Sequence, residues 1–240
     1  MNKNMKFLLI FVGCILVYAF LICFVFNKSL LDTVSPKYIV SKDFVWKFSG
    51  DEISDYKDSD YLKLKYNIYF NDGVKYGSVL RNGYVKVNGE VLNGYVLASN
   101  INGFKVLNFD KDDVSIYSNA FLQDAAHGFS SDYYQYFNSY LIQIDLNNDN
   151  KKEDVYVISN ISSMGNLPGR SLIFMTDGDK VLDTFVNDGK YKYDVSYIVD
   201  FDGDKRYEII VSKESLDGNK CFQLYKFLNG KYVLKHDCTI

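Results

Sequence analysis

The hydrophobic pattern changes along the chain, and each change predicts a different kind of element. Residues 7–26, FLLIFVGCILVYAFLICFVF, run for 20 positions without a charge. A helix of that length, rising about 1.5 Å per residue, spans the roughly 30 Å hydrocarbon layer of a membrane. A cleavable signal has a shorter apolar core, about 7–15 residues, and a small-residue cleavage site. Lys3 and Lys6 precede the run and the first acid is Asp32. That asymmetry puts residues 1–6 in the cytoplasm as a short tail and everything after residue 26 outside it. Cys14 and Cys23 then act as small apolar residues within the membrane. Lipidation of Cys14, which follows Gly13, is the alternative.

Past the run the period shortens to two. Residues 27–60 form a juxtamembrane segment whose stretch YIVSKDFVWKF reads as a strand, with Trp46, the one Trp, anchoring it in the core. In residues 61–70, Leu62, Leu64, Tyr66, Ile68 and Phe70 share one face while Lys63, Lys65 and Asn67 take the other. This is the alternation of a half-buried strand. Asn-Gly pairs at 82–83, 88–89, 93–94 and 102–103 supply the positive φ angles of tight hairpins. Residues 61–138 therefore read as a meander of short antiparallel strands, with one short helix over 120–127 capped by Gly128. Strands and helices do not alternate, which argues against a parallel nucleotide-binding sheet. The fold expected is an all-β ectodomain on one N-terminal transmembrane helix.

Charge narrows the partners. With 27 Lys+Arg against 30 Asp+Glu, the net charge of −3 offers no basic footprint for nucleic acid. His127 and His236 are the two histidines and stand too far apart for a local zinc motif. The acids, by contrast, are patterned. DLNNDNKKE at 145–153 and DFDGDKRYE at 200–208 begin fifty-five residues apart, and each carries side-chain oxygens at loop positions 1, 3, 5 and 9. In the first these are Asp145, Asn147, Asp149 and Glu153, and in the second Asp200, Asp202, Asp204 and Glu208. Alternate residues turned into one tight loop gather hard oxygens around a point, as Ca²⁺ requires at about 2.3–2.6 Å. The position-7 carbonyl, of Lys151 or Arg206, adds a further ligand. Without a cation the carboxylates repel one another. An EF-hand needs an acid at position 12, where this chain has Tyr156 and Val211 within strand-like runs. The alternative is a pair of solvated acidic turns that bind nothing.

Strand, nine-residue acidic loop, strand resembles the FG-GAP/VCBS-type repeats that build integrin-α-like β-propellers. The likeness covers residues 139–240 in two copies, 139–193 and 194–240, and rests on the Asp-x-Asp/Asn-x-Asp…Glu spacing. It implies that each copy is a four-stranded blade with calcium in the turn between its first two strands. Position 6, usually Gly in those repeats, is Asn150 and Lys205 here, and neither flanking Phe-Gly nor Gly-Ala-Pro is present. Two blades are fewer than the roughly four that close a propeller. Such calcium staples a loop rather than performing catalysis.

Each copy continues as a hairpin. SLIFM and VLDTF flank Asp177-Gly178, and CFQLYKF and KYVLKHDC flank Asn229-Gly230. With a two-residue turn at 229–230, Cys221 falls opposite Cys238 at a site where Cα atoms approach to about 4.5 Å, within disulfide range. The reading is a disulfide in an oxidising compartment, or else two reduced thiols on an edge hairpin. The aromatic group Tyr133, Tyr134, Tyr136, Phe137 and Tyr140 reads as cross-strand packing, with a sugar-stacking platform as the alternative. Asp124, His127, Ser130 and Ser131 are near in sequence, but geometry and not proximity defines a triad. Three function classes remain: a binding or adhesion module for a surface protein or polysaccharide, a glycan-acting envelope enzyme, and an accessory subunit of a membrane complex. No recognisable nucleophile motif, His cluster or phosphate loop occurs, which favours the non-enzymes.

Overall fold

The computed structural model describes residues 36–50, 52–125, 137–160, 171–178 and 180–240. The span expected at 7–26 lies outside them, as do His127, Gly128, Ser130, Ser131 and Tyr133, Tyr134 and Tyr136. No helix among the described residues is long and apolar enough to cross a membrane.

Those residues are mostly antiparallel β-sheet. The first sheet has eight strands: β1 (Lys37–Val40), β2 (Val45–Ser49), β3 (Glu52–Asp55), β4 (Tyr66–Phe70), β5 (Gly73–Val79), β6 (Val85–Val87), β7 (Glu90–Leu92) and β8 (Leu97–Ser99), in the order β3-β2-β1-β8-β4-β5-β6-β7. Strands β4 to β7 are a meander, as the Asn-Gly spacing predicts. β8 departs from it, crossing back to pair with both β4 and β1. The strand expected over 61–70 begins only at Tyr66. Residues Asp60–Lys63 instead close a 3-10 turn, in which the Leu62 and Leu64 amides donate to the Ser59 and Tyr61 carbonyls at 3.1 and 3.2 Å. An Asp60–Lys63 pair at 2.7 Å straddles that turn. Local i→i+3 bonds thus win over the alternation, while Leu62 and Leu64 still pack against the core around Tyr38, Tyr66 and Ile68.

After β9 (Lys105–Leu107) and β10 (Asp112–Asp113), a 3-10 turn and the helix α1 (Ala120–Ala125), the chain builds two four-stranded meanders. One is β11 (Phe137–Ile144), β12 (Glu153–Asn160), β13 (Ser171–Asp177) and β14 (Lys180–Asp188); the other is β15 (Lys192–Asp200), β16 (Glu208–Glu214), β17 (Lys220–Leu228) and β18 (Lys231–His236). β10 extends the first at β11, and β9 extends the second at β15. Among the described residues the three sheets are open and do not close into a propeller.

The sheets stack, and that explains the uninterrupted apolar runs of their middle strands. Val155 and Val157 of β12 meet Ile209 and Val211 of β16 in the core between the two meanders. On the opposite faces, Ile158 packs under Leu122 of α1, and Ile210 packs against Ile39, Trp46 and Leu97 of the eight-stranded sheet. Both faces of β12 and β16 are therefore dry.

Cys221 and Cys238 are joined by a disulfide, with Cα atoms 6.0 Å apart. The register counted from Asn229-Gly230 holds from Leu228↔Lys231 to Tyr225↔Leu234 and then slips by one, to Leu224↔His236. The extra residue, Lys235, forms a bulge, and Cys238 reaches its partner from the non-strand residues beyond His236, which accounts for a separation wider than expected. The bond closes a loop with a sequence separation of 17. Removing it with Cys221→Ser plus Cys238→Ser lowers the unfolding free energy by about 3 kcal/mol. Urea unfolding of the variant against the oxidised chain, both compared with the reduced chain, measures this, and coincident curves would show the bond adds nothing.

Candidate metal centre

Both acidic loops leave the end of the first strand of a meander and enter the second, between β11 and β12 and between β15 and β16. Their backbones match in detail. Positions 4 and 6 have positive φ in each: Asn148 at 61° and Asn150 at 67°, Gly203 at 80° and Lys205 at 66°. Lys205 is the exceptional member, since a lysine in this region carries strain that Asn and Gly avoid. What holds it there is the loop's first acid. The Lys205 amide donates to Asp200 Oδ2 at 3.2 Å, as the Asn150 amide donates to Asp145 Oδ2 at 2.9 Å.

The other bonds repeat as well. The position-5 amide donates to the position-3 side chain, Asp149 to Asn147 Oδ1 at 2.9 Å and Asp204 to Asp202 Oδ1 at 3.2 Å. The position-7 amide donates to position 5, Lys151 to Asp149 at 2.8 Å and Arg206 to Asp204 at 2.7 Å. The position-2 amide donates to the distant carboxylate, Leu146 to Glu153 Oε2 at 2.8 Å and Phe201 to Glu208 Oε2 at 3.0 Å. The side chains at positions 1, 3, 5 and 9 thus accept loop amides in both copies. The loops also touch, the Tyr207 amide donating to the Leu146 carbonyl at 2.9 Å. Gly103 and Gly203 meet backbone to backbone beside the second loop, where a Cβ on Gly103 would lie 3.3 Å from the Gly203 Cα.

The second loop has the stronger ligand set. Asp200, Asp202 and Asp204 each offer a carboxylate oxygen, and the three atoms lie within 4.8 Å of one another. Oxygens bound to one Ca²⁺ at 2.3–2.6 Å can be at most about 5 Å apart, so this spacing suits that ion. Each oxygen that accepts a loop amide keeps a second lone pair for a metal. Glu208 is fully buried, and its Oε1 has no hydrogen-bond partner. Burial pushes its carboxyl up to about 8, against the Phe201 amide, and the charges of Asp202 and Asp204 add to the rise. A buried, unbonded carboxylate oxygen beside three aspartates is a group that a divalent cation would satisfy.

The first loop is weaker in charge. Asn147 stands at position 3 and its amide donates to Glu153 Oε1 at 2.7 Å, so the oxygen equivalent to the orphan of Glu208 is bonded. Glu153 is also raised, first by burial and then by Asp149 and Asp145, against the Leu146 amide. The carbonyls of Lys151 and Arg206 belong to the same loops, and their amides are the position-7 donors described above.

One participant is invisible to the loop motif. Lys226, on β17, bonds Asp202 Oδ2 and lies 3.8 Å from Glu208 Oε1. Strand register was the signal that could have found it, because Ile209↔Tyr225 continues to Glu208 opposite Lys226. Of the aromatic group, Phe137 is half-buried and Tyr140 is buried between the meanders, where the Val195 amide donates to its hydroxyl at 3.1 Å. No protein-family model, curated protein or solved structure matches this chain.

Proposed function

We propose that the chain is a calcium-stapled β module, anchored through residues 7–26 with its C-terminal domain outside the cytoplasm, that binds a surface protein or polysaccharide. The observation that carries the reading is the buried Glu208 oxygen without a hydrogen bond, in the same loop as a cluster of three aspartates, a loop whose hydrogen bonds recur fifty-five residues earlier. A four-stranded meander with its acidic loop between the first two strands supports the likeness to FG-GAP/VCBS-type repeats. The Cys221–Cys238 bond supports an extracytoplasmic site, where disulfides persist.

A binding role is supported by a cavity of about 470 Å³ at the turn between β1 and β2, lined in part by Lys42, Asp43, Phe44, Tyr56, Tyr95 and Lys220. Rings beside charged groups suit a polar, ring-bearing ligand such as a sugar better than an apolar one.

Calcium titration of the metal-stripped full chain, held in detergent and followed by calorimetry, tests the metal reading. Binding at the 200–208 loop is expected, with a weaker event at 145–153, and the stronger one disappears in Asp200→Ala plus Asp204→Ala. A flat titration up to millimolar calcium overturns the reading.

A further inference from the structure

We infer that Lys226 is a resident counter-cation of the 200–208 loop, and that calcium enters this loop only by displacing it. The inference rests on the calcium reading above and concerns how that site is regulated.

In the second loop the backbone amides leave three acidic oxygens unclaimed, one of them Oδ2 of the exposed Asp204. Asp202 Oδ1 accepts the Asp204 amide and Glu208 Oε2 accepts the Phe201 amide, while Asp202 Oδ2 and Glu208 Oε1 are free of loop bonds. These are the two oxygens that Lys226 addresses, one by a direct bond and the other from 3.8 Å. The side chain comes from β17, outside the loop, and is only 16% exposed. Its Nζ also lies 4.9 Å from the centre of the Phe201 ring, on the residue after Asp200. The ammonium is therefore held from three sides at the place where a metal would need the same oxygens. A monovalent and a divalent cation cannot share them closely without strong repulsion.

The first repeat shows that the lysine is not part of the shared scaffold. Asp154↔Thr176 continues to Glu153 opposite Asp177, so an acid occupies the position that Lys226 takes in the second repeat. There the Asn147 amide serves Glu153 instead, 2.7 Å away and uncharged. The two loops thus quiet the same carboxylate by different means. Only the loop with four acids carries a full positive charge, supplied by a neighbouring strand. Lys226 keeps that loop folded in the absence of metal and sets a threshold that calcium must exceed.

The test uses the full chain in detergent with Lys226→Met, which keeps the aliphatic stem, and Lys226→Arg, which keeps the charge. Calcium affinity is read by calorimetry and the melting midpoint is read in chelator. In Lys226→Met, affinity at the stronger site rises at least tenfold and the chelator midpoint falls, while Lys226→Arg stays near the parent in both. Unchanged or weaker affinity in Lys226→Met, with the parent binding calcium, overturns the inference and leaves the calcium site standing. If neither chain binds, the site itself is refuted and the inference with it. Lys226→Gln repeats the comparison should the methionine variant fold poorly.

Discussion

Chelating calcium from the metal-replete chain lowers the midpoint of thermal unfolding by on the order of 10 °C. A site held at a hundred times its dissociation constant stabilises the folded state by about 2.7 kcal/mol, so two such sites contribute roughly 5 kcal/mol. In a domain of this size each kcal/mol moves the midpoint by about 2–4 °C. Asp200→Ala plus Asp204→Ala removes the larger of the two contributions and leaves less than half of the calcium response. The variant also starts lower in chelator, because Asp200 accepts the Gly203 and Lys205 amides at 2.7 and 3.2 Å and those donors lose their acceptor. Scanning calorimetry of both chains in calcium and in chelator gives the four midpoints. Equal midpoints for the parent in a demonstrably metal-free sample would reduce the loops to solvated acidic turns.

The loops were the most legible part of the sequence because their hydrogen bonds are local. Four positions within nine residues must point inward whatever the rest of the chain does, and φ values at positions 4 and 6 follow from that closure. The Asn-Gly hairpins were legible only where both residues of the pair take positive φ. Asn88-Gly89, at 50° and 92°, and Asn229-Gly230, at 53° and 82°, each close a pair of adjacent strands. At Asn93-Gly94 and Asn102-Gly103 only the glycine does, at 76° and 80°, and the chain leads instead into β8 and β9, which pair elsewhere. Alternation tells which face of a strand is buried, not which strand lies beside it. That is why β8 crossing back to β1, and Lys226 reaching Glu208 from another strand, could not be read from the pattern alone. The bulge at Lys235 escaped for the same reason, since a one-residue slip leaves no mark in the composition.

Trp46→Ala destabilises the domain by about 3–5 kcal/mol, the range for emptying a buried aromatic site. Trp46 is fully buried between the eight-stranded sheet and the second meander, in contact with Phe44 at a ring separation of 4.3 Å. Its indole N–H donates to Asp55 Oδ1 at 3.0 Å, and the same oxygen lies 3.2 Å from His236 Nε2. Asp55 of β3 thus ties β2 to the last strand of the chain. Trp46→Phe retains most of the apolar contact but leaves Asp55 without the indole, and it costs about 1 kcal/mol, since water can reach the half-exposed carboxylate. Strand β2 also approaches the second acidic loop, where Phe48 stacks on Phe201 at 5.5 Å. The Trp46 loss nonetheless arises from packing and not from ligation, so urea unfolding followed by far-UV circular dichroism gives the same decrement in calcium and in chelator. The aspartate variant behaves oppositely, its decrement against the parent being larger in calcium than in chelator. A Trp46→Ala decrement that vanished in chelator would mean that β2 acts through the metal loop, and that the loop and the sheet form one cooperative unit governed by the ion.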